Sequence, residues 1–143
     1  MSPSWLDRYI DAWSHHPQAS GEGGEDAMAR LFAFMSEDVR YEDVPTGAVF
    51  DGHDGIRQMG AGALQMSSDI SFEVVQHVTG QSSYAFESIC RYKHGLNRSA
   101  PGDRRPLSFR GVSIGELSEA GLVISQRDYW DLAGLLGQLG ASI

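Results

Sequence analysis

The fold prediction starts from the stretch Gln126-Arg127-Asp128-Tyr129-Trp130-Asp131-Leu132. It closes a strand that begins Leu122-Val123-Ile124-Ser125 and opens a helix that runs from Leu132 to Leu139. Side chains alternate between the two faces of a strand. One face therefore carries Leu122, Ile124, Gln126, Asp128 and Trp130. This face is the more apolar one, so Asp128 is predicted to point toward a hydrophobic interior.

An ionised carboxylate is costly in such a place unless it is paired, hydrogen-bonded or protonated. Asp128 is therefore a candidate catalytic acid or base. Two other interpretations remain open. Asp128 could be a structural residue held by hydrogen bonds, or a strand register shifted by one residue could place it in water.

The composition indicates one globular domain over residues 1–143. The chain is 41% hydrophobic and 21% charged, and a domain of this size buries about two-thirds of its unfolded surface. A net charge of -8 argues against nucleic acid or an anionic membrane as a partner. No apolar run approaches the roughly 18 residues of a membrane span. The single cysteine, Cys90, excludes an internal disulfide and is compatible with a cytoplasmic location.

The order of helical and strand patterns predicts an α+β fold. Apolar residues three and four apart predict helices at 5–13, 27–35 and 55–66, and strict alternation predicts strands at 39–43, 70–79, 84–94 and 107–117. Gly121 is predicted to turn the chain into the last strand, and the segment around Asp51 is predicted to be a loop. Helices followed by hairpin-connected strands indicate an antiparallel sheet whose apolar face the helices cover. Alternation also places Asp43 on an apolar side, as a second inward carboxylate.

Several motifs resemble the SnoaL-like family. They are Tyr41-Glu42-Asp43-Val44-Pro45, Phe50-Asp51-Gly52-His53-Asp54-Gly55-Ile56-Arg57, Arg127-Asp128-Tyr129-Trp130-Asp131-Leu132 and Leu136-Gly137-Gln138-Leu139-Gly140. The family lies in the nuclear-transport-factor-2-like superfamily, with polyketide cyclases, limonene epoxide hydrolase and ketosteroid isomerase. The resemblance implies a curved antiparallel sheet wrapped around helices as a cone with an internal pocket, a cystatin-like α+β barrel. It also implies a homodimer formed through the sheet face.

The resemblance to SnoaL-like cyclases implies that Asp128 is a base, assisted by His94 on the long strand, although Tyr-Lys replaces the family's Gly-Thr before this histidine. The resemblance to ketosteroid isomerase implies that Asp43 is the base and Tyr9 a donor to the developing oxyanion. Gly111 stands where that enzyme has a protonated aspartic acid, so half of its oxyanion hole is absent.

The resemblance to limonene epoxide hydrolase is less complete. Asp128 and Tyr41 match two of its catalytic residues, and Asp43 stands where it has an asparagine. Ser88 and Cys90 replace its arginine and second aspartate. The central charge relay is therefore missing.

These residues suggest an acid–base mechanism that needs no cofactor. Asp128 or Asp43 would remove a proton beside a carbonyl group, and His94, Tyr9 or Tyr41 would donate to the developing enolate oxygen. Two inward carboxylates close together should have pKa values that are pushed apart. The pocket for a hydrophobic small molecule is predicted to be lined by Trp13, Phe86, Ser88, Cys90, Tyr92, Phe109 and Trp130.

No metal is predicted, because the pairs His15-His16 and His53-Asp54 lack a third ligand at a recognisable spacing. The leading hypothesis is a cyclase or isomerase that acts on a polyketide, a steroid or a similar carbonyl compound. One alternative is an epoxide hydrolase with an altered relay. The other is a non-catalytic module for ligand binding or dimerisation.

Overall fold

The structure is a computed structural model that describes residues 4–15, 24–94 and 105–140, without the side chains at 15, 24–25, 60–69, 94 and 105. The helices are α1 (Trp5–His15), α2 (Gly24–Phe32), α3 (Gly52–Met66) and α4 (Leu132–Gln138). The strands are β1 (Met35–Asp43), β2 (Ala48–Asp51), β3 (Ser67–Thr79), β4 (Ser83–His94), β5 (Arg105–Leu117) and β6 (Val123–Trp130). The predicted α+β class is confirmed.

The strands form one sheet in the order β2-β1-β6-β5-β4-β3. Neighbours are antiparallel, as predicted, except for β1 and β6, which are parallel, so the sheet is mixed. Parallel neighbours need a long crossover between them, and here α3 and the strands β2 to β5 lie between β1 and β6 in the chain. The described sheet has two edges, β2 and β3, so the sheet is open and does not close on itself.

Two local predictions near β1 are wrong. The segment Ala48–Asp51 is not a loop but strand β2, which pairs with β1 across a turn at 44–47 where Gly47 has a φ of 76°. The second helix ends at Phe32, because Met35 opens β1 and pairs with Val123 of β6. Apolar spacing predicted that the helix would continue to Met35, but the backbone there is hydrogen-bonded within the sheet.

The start of α1 follows from its sequence. The Ser4 hydroxyl accepts a hydrogen bond from the Asp7 amide at 3.1 Å, and the Asp7 carboxylate accepts one from the Ser4 amide at 3.2 Å. This reciprocal cap satisfies donors that the first helical turn leaves without partners. The aromatic face of α1 then packs inward, with the Trp5 and Tyr9 rings stacked at 5.1 Å.

The core lies between the helices and one face of the sheet. Its fully buried large side chains are Tyr9, Met28, Leu31, Val39, Ile56 and Val123. Burying one aliphatic side chain of this size contributes about 1.5–3 kcal/mol. The core therefore fixes α1, α2 and α3 against β1 and β6, the two strands that carry the inward carboxylates.

A β-bulge in β6 changes which residues face inward. Leu117 pairs with Val123 and Glu116 with Ser125, so Ile124 is an extra residue opposite β5. Val123 is fully buried, whereas Ile124 is 37% exposed. The predicted inward position of Ile124 is wrong, because the bulge reverses the alternation at this point. Beyond the bulge Gln126 is only 2% exposed and faces inward as predicted.

Candidate active site

A cavity of about 400 Å³ lies between the inner face of the sheet and the helices α1, α3 and α4. Its volume falls in the range of typical small-molecule pockets. Its wall is mostly apolar and aromatic. All seven residues predicted to line a pocket lie on this wall: Trp13, Phe86, Ser88, Cys90, Tyr92, Phe109 and Trp130.

Strand register brings the polar residues of the wall together in rows that cross the sheet. One row runs through Phe86, Ser113, Asp128 and Asp43, each opposite the next on strands β4, β5, β6 and β1. The adjacent row runs through Tyr84, Gly115, Gln126 and Tyr41 on the same strands. Residues opposite one another on one face of a sheet have closely spaced side chains. The two rows therefore place both candidate carboxylates beside a buried amide.

Asp128 lines the cavity and accepts two hydrogen bonds on a single oxygen. The Ser113 hydroxyl donates to Asp128 Oδ1 at 2.7 Å, and Gln126 Nε2 donates to the same atom at 3.0 Å. Burial among protein atoms raises the pKa of Asp128 to about 8. The carboxyl group is thus mostly protonated at neutral pH, in agreement with the high cost of an ionised group away from water.

Gln126 is held on its other side by two phenols. The hydroxyls of Tyr9 and Tyr84 donate to Gln126 Oε1 at 2.7 Å and 2.5 Å. The Tyr84 ring reaches this amide by lying over Gly115, where a Cβ atom would be 2.1 Å from Tyr84 Cζ. Only glycine therefore allows the contact from β4 to β6 across β5.

Asp43 also lines the cavity, but its donors are arranged differently. The indole N–H of Trp130 donates to Asp43 Oδ1, and the hydroxyl of Thr46 donates to Oδ2. Both oxygens of Asp43 are therefore engaged by the protein. The raised pKa of Asp128 is caused by burial, and not by repulsion from this neighbouring carboxylate.

The other predicted catalytic residues lie at different depths. Tyr41 lines the cavity and packs its ring against Trp13 at 5.3 Å. Tyr9 is fully buried and binds Gln126, so it is placed to orient that amide. His94 ends β4 opposite Arg105, but its side chain lies outside the described residues and its role stays a prediction.

Ser88 and Cys90 are buried on the inner face of β4. Burial raises the pKa of the Cys90 thiol to about 12, so this side chain is a neutral group on the cavity wall. A neutral thiol and a hydroxyl carry no charge at neutral pH. They therefore do not rebuild the charged relay whose place they occupy.

Sequence reasoning missed three polar residues of the site: Thr46, Ser113 and Gln126. Alternation placed both Ser113 and Gln126 on inner faces, but neither was recognised as a partner of Asp128. A buried amide requires hydrogen-bond partners, and this rule was the available signal. Thr46 lies in the turn after β1, where alternation predicts nothing.

Within the described ranges, His, Cys, Asp and Glu side chains form no group of three that could hold a metal ion. The helices in the same part of the chain also lack the combined length and apolar character that a membrane crossing requires.

The mixed sheet, its covering helices and the carboxylate-bearing cavity define the ketosteroid isomerase-like class of fold. The chain belongs to the SnoaL-like domain family, whose profile matches residues 6–126. No curated protein sequence matches it significantly.

Solved structures with the same fold share little sequence with this chain. A hypothetical protein with a ketosteroid isomerase-like fold from Catenulispora acidiphila, in complex with trimethylamine, is 17% identical with a TM-score of 0.74, over 99% of this chain and 96% of the other. A SnoaL-like polyketide cyclase from Agrobacterium tumefaciens is 18% identical with a TM-score of 0.68, over 97% and 100%. A phenazine biosynthesis-related protein from Pseudomonas aeruginosa is 13% identical with a TM-score of 0.65, over 96% and 93%. Similarity at this level shows the fold alone.

Proposed function

We propose that the protein is a cofactor-independent acid–base enzyme of the cyclase or isomerase type, acting on a hydrophobic small molecule that carries a carbonyl group. The observation that supports this most is Asp128, a carboxyl group in an apolar cavity whose pKa is raised to about 8. General acid–base catalysis is most efficient when the pKa of the catalytic group lies near the working pH. A carboxyl group with this pKa binds a proton far more tightly than an ordinary carboxylate does.

In this proposal the ionised fraction of Asp128, which grows as the pH approaches 8, takes a proton from the carbon beside the carbonyl and returns it to the product. Tyr41 is the donor we assign to the developing enolate oxygen, because its ring lines the same cavity and its strand lies beside β6. His94 remains the second candidate donor by family resemblance. Asp43 is the second candidate base, but both of its oxygens already accept hydrogen bonds from Thr46 and Trp130.

The chemistry of the wall favours a ligand without negative charge. Among the described residues that line the cavity, the ionisable groups are carboxyls, phenols and a thiol, and neither Lys nor Arg is present. A carboxylate or phosphate ligand would therefore lack a counter-charge in an apolar site. The aromatic rings instead suit a flat hydrophobic ligand.

The test is a binding and turnover screen of wild-type protein and Asp128→Asn. The compounds are anthracyclinone-like polyketides, steroids and terpene epoxides, with trimethylamine as a small cationic probe and a hydrophobic carboxylate as the unfavourable control. The proposal expects turnover of a carbonyl compound that Asp128→Asn binds but does not convert. Equal turnover by the variant, or no turnover in any class, would contradict it.

A binding module without catalysis is the second candidate, and the open cavity is what favours it. Such a module would bind the same ligands in both proteins and convert none. An epoxide hydrolase would be indicated only by turnover of the epoxides, since Ser88 and Cys90 supply no charged relay.

The outer face of the sheet supports a second proposal, that two copies of the chain pair through it. Strand alternation places the side chains of Val112, Ile114 and Tyr129 on this face, where they are 39%, 39% and 41% exposed. Val112 and Tyr129 also border the cavity. Glu73, Glu87 and Glu116 lie among Arg91, Lys93, Arg110 and Arg127 on the same face, so this face is not acidic although the chain carries a net charge of -8. Two copies would repel each other least here.

Sedimentation of Val112→Asp tests this proposal. The charge at the centre of the face should convert a dimer into a monomer. Val49→Asp is the matched control, since Val49 is 41% exposed but lies on the edge strand β2. A monomeric wild-type protein would contradict the proposal.

A further inference from the structure

Gln126 is a buried amide whose two ends are both engaged. Its side chain is 2% exposed, its carbonyl oxygen accepts the Tyr9 and Tyr84 hydroxyls, and its nitrogen donates to Asp128 Oδ1. Apolar residues would fill this space without the cost of burying an amide. The presence of Gln126 therefore calls for a reason beyond packing.

The two phenols determine which way the amide points. Burial raises the pKa of both Tyr9 and Tyr84 above the ordinary tyrosine value, so both remain O–H donors throughout the neutral range. A buried donor without an acceptor costs about 1–3 kcal/mol. An amide oxygen has two lone pairs and accepts both phenols. In the reverse orientation the NH₂ group could only donate to the phenol oxygens, and the two O–H groups would lose the acceptor that they share. The nitrogen of Gln126 must then face Asp128.

The same geometry makes the two oxygens of Asp128 unequal. Ser113 and Gln126 both donate to Oδ1, at 2.7 Å and 3.0 Å, and neither donor reaches Oδ2. A carboxyl oxygen that accepts two hydrogen bonds has no lone pair left for a proton. The proton of neutral Asp128 therefore belongs on Oδ2, the carboxyl oxygen to which neither Ser113 nor Gln126 donates, on a residue that lines the cavity.

We propose that Gln126 is a positioning residue that, together with Ser113, makes Oδ2 of Asp128 the atom that takes up and releases the proton. This inference rests on the proposed function, in which Asp128 exchanges a proton with the ligand. The forward step starts from the ionised form of Asp128. The C–H bond of the ligand breaks, its electron pair moves into the enolate, and the proton forms an O–H bond with the unprotonated Oδ2. In the return step the same proton goes back to carbon, so no other reactant is needed.

Infrared spectroscopy of protein labelled with ¹³C-aspartate tests the inference without a substrate. The carbonyl stretch of protonated Asp128 is identified as the band that is present at pH 6, absent at pH 9.5 and missing in Asp128→Asn. If Oδ1 is the carbonyl oxygen, each lost donor strengthens the C=O bond. Ser113→Ala and Gln126→Leu should therefore each move the band to higher wavenumber. Both should also raise the pKa of Asp128, because the ionised form loses a hydrogen bond.

Two variants control for effects on the fold. Ser88→Ala removes a hydroxyl from a residue that is as buried as Ser113, since both serines are 8% exposed. Ser88 lies in a different row across the sheet, opposite Gly111, which is itself opposite Trp130. Ser88→Ala should leave the band in place. Ser113→Thr keeps a hydroxyl and should restore the wild-type wavenumber. If Gln126→Leu does not fold, this serine series decides the question alone.

A band that stays fixed in Ser113→Ala, or that moves to lower wavenumber, would place the proton on Oδ1 and overturn the inference. The spectroscopic result is independent of turnover. The expected band shifts in a protein that converts no compound would keep the positioning role and reject the proposed reaction. Where a substrate is found, Gln126→Leu should lower kcat more than it changes KM, since the residue acts through Asp128.

Discussion

Asp43 and Asp128 lie opposite each other on the parallel neighbours β1 and β6, yet their surroundings and hydrogen-bond donors differ. Asp128 is half-buried on the cavity wall, it accepts both of its hydrogen bonds on one oxygen, and burial raises its pKa to about 8. Asp43 has one donor on each oxygen, from Trp130 and Thr46. Two identical side chains one strand apart thus differ in how hydrogen bonds are distributed over their carboxyl oxygens. Their surroundings, and not their residue type, therefore distinguish the two positions.

The difference follows from what each strand end contacts. Asp128 lies within β6, between Ser113 on β5 and Gln126 two residues earlier in its own strand. Asp43 ends β1, and the turn that follows it supplies Thr46. The two positions can therefore be changed independently.

The largest expected effect is on catalysis. Replacing Asp128 by Asn removes the proton carrier, and turnover of a substrate found in the screen should fall about 10²–10⁴-fold. Asp43→Asn keeps a carbonyl oxygen to accept the Trp130 N–H, and it should lower turnover by no more than about tenfold, which is near 1.4 kcal/mol. Steady-state kinetics of both variants check this. A larger loss for Asp43→Asn would exchange the two roles.

The next effect concerns stability and its dependence on pH. The folded pKa of Asp128 is raised from 3.8 to about 8, so between these values the unfolded chain is ionised at this position while the folded chain is protonated. The unfolded state then binds fewer protons, and stability falls as pH rises until about pH 8. The free energy of unfolding of Asp128→Asn should not fall in this way, because asparagine does not ionise.

Asp128→Asn should therefore exceed wild type in free energy of unfolding at pH 9 by an amount on the order of a few kcal/mol, and this advantage should shrink toward pH 4. Urea denaturation at the two pH values measures it. Asp43→Asn is the control and should show no such gain. The quantity to compare is the free energy of unfolding of Asp128→Asn minus that of wild type. If this difference is no larger at pH 9 than at pH 4, the raised pKa of Asp128 is contradicted.

A smaller effect is expected from the support behind Asp128. Gly115→Ala places a methyl group 2.1 Å from Tyr84 Cζ, so the phenol must move away from Gln126. Overpacking of this kind costs about 1–3 kcal/mol. Gly137→Ala in α4 meets nothing within 4 Å and should be neutral or stabilising, because alanine favours helix. Thermal denaturation compares the two, and equal melting temperatures would show that Tyr84 does not depend on Gly115.

The smallest effect is expected at the anchor of Asp43. The Trp130 and Phe109 ring centroids are 4.8 Å apart. Trp130→Phe keeps an aromatic ring in this contact but removes the N–H that donates to Asp43. One hydrogen bond contributes about 1 kcal/mol. Tyr129→Phe, an exposed change on the opposite face of β6, should stay within about 0.5 kcal/mol of wild type. If the two variants have the same free energy of unfolding, the hydrogen bond from Trp130 to Asp43 does not contribute to stability.

Alternation along strands was sufficient to predict that Asp43 and Asp128 face inward and that Phe86, Tyr92 and Phe109 line a pocket. The same rule failed at Ile124, because a bulge depends on the pairing of two strands and not on the pattern of one. The short edge strand β2 was missed because its four residues carry too little pattern to distinguish them from a loop.

The partners of Asp128 could not be predicted from local sequence. Tyr84 and Gln126 are 42 residues apart in the chain, and their contact depends on the order of β4, β5 and β6 and on the empty space above Gly115. The family resemblance supplied the class of fold, but it did not indicate that Gln126 takes part in the site. Packing in three dimensions determines which polar residues become neighbours.

Asp128 is a half-buried carboxyl group that is mostly protonated at neutral pH, because desolvation raises its pKa to about 8. An NMR titration of ¹³C-aspartate protein, with Asp128→Asn to assign the signal, measures this directly. We expect a carboxyl resonance with a midpoint near pH 8 that is absent from the variant. If the resonance lost in Asp128→Asn instead titrates near pH 4, Asp128 is an ordinary ionised carboxylate and the account is contradicted.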